Sequence, residues 1–292
     1  MNRNLTAAAL ICISIYTNGQ TSYEDSINDW HQQRIGNLKK ETGWLNLAGL
    51  YWLRPGKNSF GSGDEVQIKF PKETIPADAG YFELAGTTVS LHTNEQTPVY
   101  INNELKKDAV IFSADSSGQV VCRYGSLRWT IIKREDKIGI RLRDLNSTEL
   151  KSFTGIDRFP VDSNFRVTAL LREPVFPASV LITNVLGQTM AEPSPGKLFF
   201  TLKGKQYSLD ALEEDGELFI IFGDATSGEE TYPAGRFLYA KKPGKDGKTV
   251  LDFNKAYNPP CAFTPYATCP IPPKQNILPV AITAGEKNYE HH

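Results

Sequence analysis

The sequence predicts a mainly β protein, with antiparallel sheets that form a barrel or a sandwich and one amphipathic helix at the N-terminus. From Val66 onward, short β-branched and aromatic runs are separated by Gly, Pro, Asn or Asp roughly every ten residues. Most of these runs alternate or are wholly apolar, so several strands are expected to be buried on both faces. Strands and long helical segments do not alternate, which argues against a parallel α/β sheet.

The helix is predicted at the start of the folded part. Thr21 and Glu24 have the spacing of a capping box, and apolar residues recur every three to five positions from Tyr23 to Leu38. The helix is expected to end before Thr42-Gly43. The apolar and aromatic segment 43–53 contains two glycines, which weaken a helix, and is expected to be a buried strand or turn under the sheet.

The clearest strand runs are residues 87–92, 110–113, 127–133, 137–141, 165–172, 179–184, 198–202 and 218–222. Two hairpins are predicted from their turn residues. Residues 198–202 reverse through Lys203-Gly204-Lys205, and residues 237–241 reverse through 243–247 into 249–253. Antiparallel pairing follows from both.

Residues 20–292 are predicted to form a single β-rich domain. The sequence shows no internal repeat of fixed period and no linker rich in Pro, Gly or Ser. The Pro-rich stretch 259–273 is interleaved with Phe263, Tyr266 and Ile271, which a linker rarely carries. We therefore expect an ordered loop packed on the body.

Composition argues against several classes of partner. The chain has 292 residues, 40% of them apolar and 22% charged, which is enough to build a folded core. Its 32 basic and 33 acidic residues nearly cancel, and no basic block is long enough to bind a phosphate backbone, so nucleic acid is not an expected partner. Beyond the N-terminus no apolar run approaches the roughly 18 residues that span a bilayer.

Residues 1–19 are predicted to be a secretory signal peptide. Arg3 precedes an apolar stretch at 5–16, and small and polar residues lead to cleavage near Gly19. The alternative is a first helix packed in the core. Ile11 before Cys12 disfavours a lipid anchor at that cysteine. The processed protein is therefore expected in the periplasm or outside the cell, without a membrane span.

Signal cleavage leaves three cysteines, Cys122, Cys261 and Cys269. In an oxidising compartment Cys261 and Cys269 are the natural disulfide pair, and closing their short loop contributes about 2–3 kcal/mol in the chain-entropy model. Two packed thiols are the alternative. The spacing is not that of a zinc knuckle, so no metal is expected there. Cys122 is expected to be a buried core residue.

Familiar catalytic signatures and cofactor motifs are missing. The sequence has no nucleophile elbow, no phosphate-binding loop and no His-Glu-x-x-His, and it contains only 4 histidines. Ser194 and Lys197 have the spacing of a Ser-Lys dyad but lie in a Pro-Ser-Pro-Gly turn sequence. No cofactor is expected.

Polar side chains follow two late strands at the points where the strands end. These candidate site residues are Asp224, Thr226, Glu229, Tyr232 and Arg236 after the first strand, Asp252, Asn254, Tyr257 and Asn258 after the second, and the pair Arg141 and Asp144 elsewhere. If the second hairpin forms, the two groups converge at one end of the sheet. The alternative is that they cap turns and satisfy loop backbone, as Asp, Asn and Thr often do.

The C-terminal run 258–273, Asn-Pro-Pro-Cys-Ala-Phe-Thr-Pro-Tyr-Ala-Thr-Cys-Pro-Ile-Pro-Pro, closely resembles domain of unknown function 1684, a family of bacterial and archaeal proteins with no established activity. Asn276, the run 284–286, and segments 43–53, 153–160 and 231–238 extend the likeness over nearly the whole processed chain. The resemblance implies a shared fold and assigns no catalytic residue. Family members occur with and without export signals, which leaves open another role for the two cysteines.

Three hypotheses of function follow. The first is an envelope accessory or binding protein that holds a small polar ligand. Its pocket would comprise Arg141, Asp224, Thr226, Tyr232, Arg236, Asp252, Asn254, Asn258 and Tyr266. The second is a carboxylate-dependent hydrolase with Asp224 or Glu229 and Asp252 as acid and base. The third makes the C-terminal loop a structural clasp that closes the sheet.

Overall fold

A computed structural model describes residues 22–115, 118–176 and 178–289 of the chain. The predicted signal peptide lies outside these residues, so the signal and its cleavage site stay predictions. The described residues form a mainly β fold with antiparallel sheets, one of them curved into a half-barrel, which confirms the predicted fold class. No helix in this part of the chain is long and apolar enough to cross a membrane.

The first half of the chain forms two sheets that enclose one hydrophobic core. Its elements are α1 (Tyr23–Lys39), β1 (Leu47–Trp52), β2 (Gly56–Gly61), β3 (Ile68–Lys69), β4 (Gly80–Ala85), β5 (Thr88–Thr93), β6 (Val99–Ile101), β7 (Glu104–Lys106), β8 (Asp108–Phe112), β9 (Cys122–Tyr124), β10 (Leu127–Arg134), β11 (Lys137–Asp144) and α2 (Thr148–Ser152). One sheet has the order β1-β11-β10-β9-β6-β7 and the other β3-β2-β4-β5-β8. Phe60, Phe82 and Trp129 pack between them, with the rings of Phe60 and Phe82 4.5 Å apart.

Helix α1 begins at Tyr23, and its N-cap is Ser22. Ser22 Oγ accepts from the Asp25 backbone N at 3.1 Å, and Asp25 Oδ2 accepts from the Ser22 backbone N at 3.2 Å. The capping box is therefore formed by Ser22 with Asp25, whereas Thr21 of the predicted box lies outside the described residues. The apolar stripe is partly confirmed, because Ile27 and Leu38 are fully buried. Segment 43–53 contains β1, as expected.

The second half of the chain contains the half-barrel. The strands of this half of the chain are β12 (Arg166–Arg172), β13 (Ala178–Thr183), β14 (Thr189–Ser194), β15 (Gly196–Leu202), β16 (Lys205–Glu214), β17 (Glu217–Phe222), β18 (Arg236–Ala240) and β19 (Lys248–Asp252). Short 3-10 helices occupy Ser163–Phe165, Phe253–Lys255, Pro260–Ala262 and Lys274–Asn276. The half-barrel has the strand order β18-β17-β16-β15-β12-β19, and β13 and β14 form a separate hairpin beside it. Each of the eight predicted strand runs overlaps a strand of the structure.

The half-barrel has a hydrophobic core of its own, separate from the core of the two N-terminal sheets. Leu198, Leu209, Ile220 and Leu238 lie in this core without exposed surface. The prediction that residues 20–292 form one domain stays a prediction.

One predicted hairpin is confirmed and the other is wrong. β15 and β16 pair through Leu202 and Lys205 around a two-residue turn. Lys203 and Gly204 there have φ of 50° and 75°, as a type I′ turn requires. β18 and β19, however, form no ladder, because β19 pairs with β12. The free edge of β18 is occupied instead by Tyr257, which exchanges two backbone hydrogen bonds with Phe237, each of 2.9 Å.

The Pro-rich loop is ordered and packed on the body, as predicted. Phe263, Ala267 and Cys269 are buried. The chain then continues over the half-barrel, where Leu278 and Ile282 enter its core. The C-terminal segment, residues 276–289, thus covers the half-barrel.

Candidate functional site

Asp224 and Arg236 form an ion pair in the interior of the half-barrel. Arg236 Nη2 donates to Asp224 Oδ2 at 2.8 Å, and neither side chain has exposed surface. Asp224 Oδ1 also accepts from the backbone N and Oγ1 of Thr226, at 2.9 and 2.6 Å, and from the backbone N of Ile282 at 3.1 Å. The three predicted site residues Asp224, Thr226 and Arg236 are thus brought together, with their polar atoms directed at one another.

The guanidinium of Arg236 also binds the backbone of the C-terminal segment. Nη1 donates to the carbonyl oxygens of Ala284 at 2.5 Å and Glu286 at 3.2 Å, and Nη2 donates to that of Ile282 at 2.9 Å. Burial lowers the pKa of Arg236, and the Asp224 carboxylate opposes that shift. The pair therefore fastens residues 282–286 across the half-barrel.

Asn258 belongs to a second buried group beside this one. Its backbone N donates to Glu286 Oε2 at 2.7 Å, and its Nδ2 donates to the Lys287 carbonyl at 2.7 Å. Arg34 of α1 donates to the Asn258 carbonyl at 2.9 Å and to Glu286 Oε1 at 3.4 Å. Burial raises the pKa of Glu286, and Arg34 opposes that shift.

Asp252 and Asn254 form a third group near the start of α1. Tyr23 donates its hydroxyl to Asp252 Oδ1 at 2.7 Å, and Asn254 Nδ2 donates to the Tyr23 oxygen at 3.0 Å. Asn254 also exchanges two hydrogen bonds with the backbone of Asp162, of 2.8 and 2.9 Å. Burial and then the Asp252 carboxylate raise the pKa of Tyr23. These contacts hold α1 on the half-barrel.

Tyr232 and Tyr266 lie apart from these groups. Tyr232 packs in an apolar cluster with Phe263 and Phe153, and burial raises the pKa of its phenol. Tyr266 is 38% exposed, and its backbone N donates to Thr264 Oγ1. The structure therefore does not gather the nine predicted ligand-binding residues around one cavity.

Of these nine residues, only Arg141 lines one of the main cavities found among the described residues. This cavity, of about 460 Å³, lies between β10 and β11 on one side and the half-barrel with its Pro-rich loop on the other. We call it the arginine cavity, and its principal lining residues are Arg34, Arg134, Arg141, Trp44, Tyr239 and Tyr257.

The arginine cavity is electropositive. Among the described residues that line it, Glu214 carries the single carboxylate against three guanidinium groups, and it already accepts a hydrogen bond from Tyr239. Arg141 Nε is buried with no hydrogen-bond partner in the described part of the chain. Burial and then Arg134 lower the pKa of Arg141, and Cys269 opposes them.

Aromatic rings hold two of these arginines in place. The Arg141 guanidinium lies 5.5 Å from the ring centre of Trp44, and that of Arg34 lies 4.6 Å from the ring centre of Tyr257. The rings of Tyr239 and Tyr257 stack with centres 6.2 Å apart. Cationic and aromatic side chains thus share one cavity, which suits an organic anion.

A larger cavity of about 890 Å³ lies between the β13–β14 hairpin and residues 271–275. Lys197 and Asp210 line it and are paired with each other at 2.8 Å. Ser194 Oγ donates to the Ala211 carbonyl at 2.7 Å. Because both members of the supposed Ser-Lys dyad have other partners, the turn interpretation of this sequence is favoured.

Cys261 and Cys269 are adjacent free thiols. The Cys261 backbone N donates to Cys269 Sγ at 3.0 Å, and the Cys269 backbone N donates to Cys261 Sγ at 3.3 Å. The described residues contain no disulfide, so the expected bridge is not shown and stays a prediction for oxidising conditions. Cys122 is buried in β9, as expected.

Sequence reasoning missed Arg34 and Trp44. Arg34 lies four residues after Trp30 and four before Leu38, so helical spacing places it on the apolar stripe of α1. The sequence feature that could have identified Arg34 is its charge on an otherwise apolar stripe of the helix. Trp44 offered no comparable signal, because its contact with Arg141 depends on the packing of β11.

Comparison with known proteins gives a match to one family model. The model described as "Protein of unknown function (DUF1684)" matches residues 151–287. The motif segments 153–160, 231–238 and 258–273 lie in this range, and segment 43–53 lies outside it. No curated protein matches the sequence.

Two solved structures are similar to parts of the chain. The solution NMR structure of an uncharacterized protein from Haloarcula marismortui has 31% identity and a TM-score of 0.41, and the match covers 49% of this chain and 82% of that one. A crystal structure of the FhaA FHA domain complexed with the intracellular domain of Rv3910 has 17% identity and a TM-score of 0.23, and the match covers 32% of this chain and 97% of that one.

Proposed function

The chain belongs to the DUF1684 family of proteins of unknown function, and we propose that it binds a small organic anion in the arginine cavity. The observation that carries the proposal is the buried Arg141 Nε without a hydrogen-bond partner in the described residues. Leaving a buried polar group unpaired costs about 1–3 kcal/mol, and more where the group is charged. A carboxylate of a ligand would accept from this guanidinium and remove that cost.

The surroundings of Arg141 support an anion with a planar apolar part. Arg134 adds positive charge, and the aromatic residues Trp44 and Tyr257 line the cavity beside the arginines. A volume of about 460 Å³ falls within the usual range of small-molecule sites. The ligand class is therefore an aromatic or similarly flat carboxylate.

The role in the cell envelope is part of the same proposal. It rests on the predicted signal peptide at residues 1–19, which would place the protein in the periplasm or outside the cell. An exported protein with an anion-binding cavity would act as an accessory or binding protein for such a ligand.

The alternative of a carboxylate-dependent hydrolase has weaker support. Asp224 has no exposed surface and is bonded to Arg236, and Asp252 accepts from Tyr23. General acid–base catalysis needs a carboxyl group within hydrogen-bond reach of the substrate. Asp224 has no such access in this structure, and the other candidate acid, Glu229, is exposed but lines neither of the two cavities described above. The binding function is therefore the better supported one.

Isothermal titration calorimetry with benzoate, 4-hydroxybenzoate and indole-3-acetate tests the proposal, with the corresponding uncharged amides as controls. The protein is expected to bind at least one carboxylate and none of the amides. Arg141→Gln removes the charge and is expected to weaken binding about tenfold or more, since hydrogen bonds to charged groups contribute roughly 1.5–3 kcal/mol.

Arg54→Gln is the matched control, because Arg54 is an exposed arginine outside the cavity. It is expected to bind like the wild type. Unchanged affinity in Arg141→Gln, or equal binding of acids and amides, would refute the proposal. Native mass spectrometry of protein purified from its own cells would identify a retained anion by mass.

A further inference from the structure

Cys261 and Cys269 lie in the Pro-rich loop with each backbone N–H directed at the other sulfur. The two N to Sγ distances are 3.0 and 3.3 Å. Such donors stabilise negative charge on sulfur, because a thiolate is a stronger acceptor than a thiol. The loop thus holds two thiols side by side in a setting that favours one thiolate.

The two sulfurs are not equivalent. Cys269 is 5% exposed, whereas Cys261 is partly exposed. A hydrogen bond from the Cys269 thiol lowers the pKa of Cys261, and burial works against it. The hydrogen bond from Cys269 to Cys261, and then burial, raise the pKa of Cys269. A partly exposed thiol with a lowered pKa is therefore paired with a buried thiol with a raised pKa.

We propose that Cys261 and Cys269 form a thiol–disulfide exchange site, in which Cys261 is the attacking thiolate and Cys269 the resolving thiol. The supporting geometry is their reciprocal hydrogen bonding and their unequal exposure. The substrate class is a small disulfide. This activity goes beyond anion binding and does not depend on it.

The reaction proceeds in two steps with balanced atoms and electrons. The Cys261 thiolate attacks one sulfur of the small disulfide, forms a mixed disulfide and releases one thiolate. Cys269 then loses its proton to solvent, attacks Cys261 Sγ and releases the second thiolate, and each released thiolate is protonated by solvent when it is basic enough. The protein gives up two electrons and becomes a disulfide, and the substrate is reduced to two thiols.

Arg141 assists the second step. Its positive charge favours the thiolate form of Cys269, so it opposes the burial that keeps this sulfur protonated. Cys269 also lines the arginine cavity. The resolving sulfur thus lies near a cation that opposes, without overcoming, the rise in its pKa.

The test uses 5,5′-dithiobis(2-nitrobenzoate), a small disulfide whose released thiolate is coloured. The reduced full chain carries Cys12→Ser in every sample. The wild-type pair is expected to release two equivalents and to end without an adduct, with a mass lower by two hydrogens and a Cys261–Cys269 disulfide in peptide mapping. Cys122 is not expected to react in the folded chain, because burial raises its pKa to about 12.

Two single variants separate the roles. Cys269→Ser is expected to release one equivalent and to keep a stable adduct at Cys261, because no resolving thiol remains. Cys261→Ser is expected to react at least tenfold more slowly, because Cys269 is buried and its pKa is raised. Benzoate binding by Cys261→Ser should match the wild type, which separates this proposal from the binding function.

Three results would overturn the assignment. The first is a wild-type product with an adduct on each cysteine, which would show that the pair does not close. The second is reaction of Cys261→Ser at the wild-type rate, which would make Cys269 the attacking thiol. The third is no reaction of the folded wild type within the time in which the urea-unfolded chain reacts fully.

Discussion

Arg236 donates to Asp224 across 2.8 Å in the interior of the half-barrel, and neither side chain has exposed surface. The same guanidinium binds three backbone carbonyls of the C-terminal segment, including those of Ala284 and Ile282. This pair therefore links the ends of β17 and β18 to the chain that covers the half-barrel. It fastens residues 282–286 of the C-terminal segment to the half-barrel.

Asp224→Asn is expected to lower the free energy of unfolding by about 3–5 kcal/mol, because it leaves the charge of Arg236 buried without its partner. Urea unfolding followed by tryptophan fluorescence measures the effect. Glu213→Gln is the matched control, since Glu213 pairs with Lys242 at 2.6 Å on the surface. That variant should lose no more than about 1 kcal/mol. Equal losses in both variants would contradict the structural role of the buried pair.

A second prediction concerns Gly235, which precedes Arg236 with φ of 82°. A Cβ there would lie 2.5 Å from the Phe222 carbonyl oxygen and 2.5 Å from Pro272 Cγ. Gly235→Ala therefore combines a left-handed backbone with a steric clash, and is expected to cost more than about 3 kcal/mol in urea unfolding.

Gly228→Ala provides the comparison for Gly235→Ala. Gly228 has a similar φ of 87°, but nothing lies within 4 Å of its added Cβ. It is expected to cost only the backbone strain, about 1–2 kcal/mol. If the two variants were equally stable, the close approach of Pro272 to Gly235 would be refuted.

The pH dependence of stability is expected to show the titration of His31, a buried residue of α1. Burial, and then the charge of Arg158, lowers the pKa of His31 from its ordinary value of 6.5, while its Nε2 lies 3.2 Å from the Ile156 carbonyl oxygen. As the pH falls below 6.5, the unfolded chain therefore binds a proton at this residue before the folded chain does. Protonation favours the unfolded state, and the free energy of unfolding decreases.

His31→Gln removes this titration and keeps a donor for the Ile156 carbonyl. The variant is expected to lose less stability than the wild type between pH 7 and pH 5, measured by urea unfolding at each pH. Parallel pH profiles for the two proteins would show that His31 does not titrate differently on folding.

The sequence predicted the parts of the fold that depend on local chemistry. The β15–β16 hairpin follows from Lys203-Gly204, whose positive φ values a two-residue turn requires. The second hairpin was wrong because the pairing of β19 is decided by a distant strand, with Arg166 opposite Asp252. Nothing in residues 237–253 encodes that partner.

In the candidate site, too, the sequence could identify individual residues but not the long-range contacts between them. Asp224 and Arg236 could be identified as polar residues at strand ends, but their burial and mutual bonding depend on the C-terminal segment that covers them. Arg141 was identified, whereas its cavity required Arg34 from α1 and Tyr257 from beyond β19. Such a site is assembled by packing over more than a hundred sequence positions, which a single sequence does not display.

The N-cap of α1, which the structure assigns to Ser22, can be tested directly by substitution. Ser22→Ala removes the acceptor for the Asp25 backbone N and is expected to cost about 1 kcal/mol in urea unfolding. Glu24→Ala tests the cap that the sequence predicted. It should cost no more than about 0.3 kcal/mol, because Glu24 contributes only its charge near the helix N-terminus. A larger loss in Glu24→Ala than in Ser22→Ala would restore the predicted cap.

Trp44 tests whether the arginine cavity binds through a positioned guanidinium or only through net charge. The ring of Trp44 lies 5.5 Å from the Arg141 guanidinium and 5.8 Å from that of Arg143. Trp44→Leu keeps every charge but removes this cation–π contact, which contributes about 0.5–1 kcal/mol. Calorimetry is therefore expected to show benzoate binding weakened roughly two- to fivefold. Trp52→Leu, which changes a tryptophan outside the cavity, should bind normally, and unaltered binding in Trp44→Leu would mean that charge alone attracts the anion.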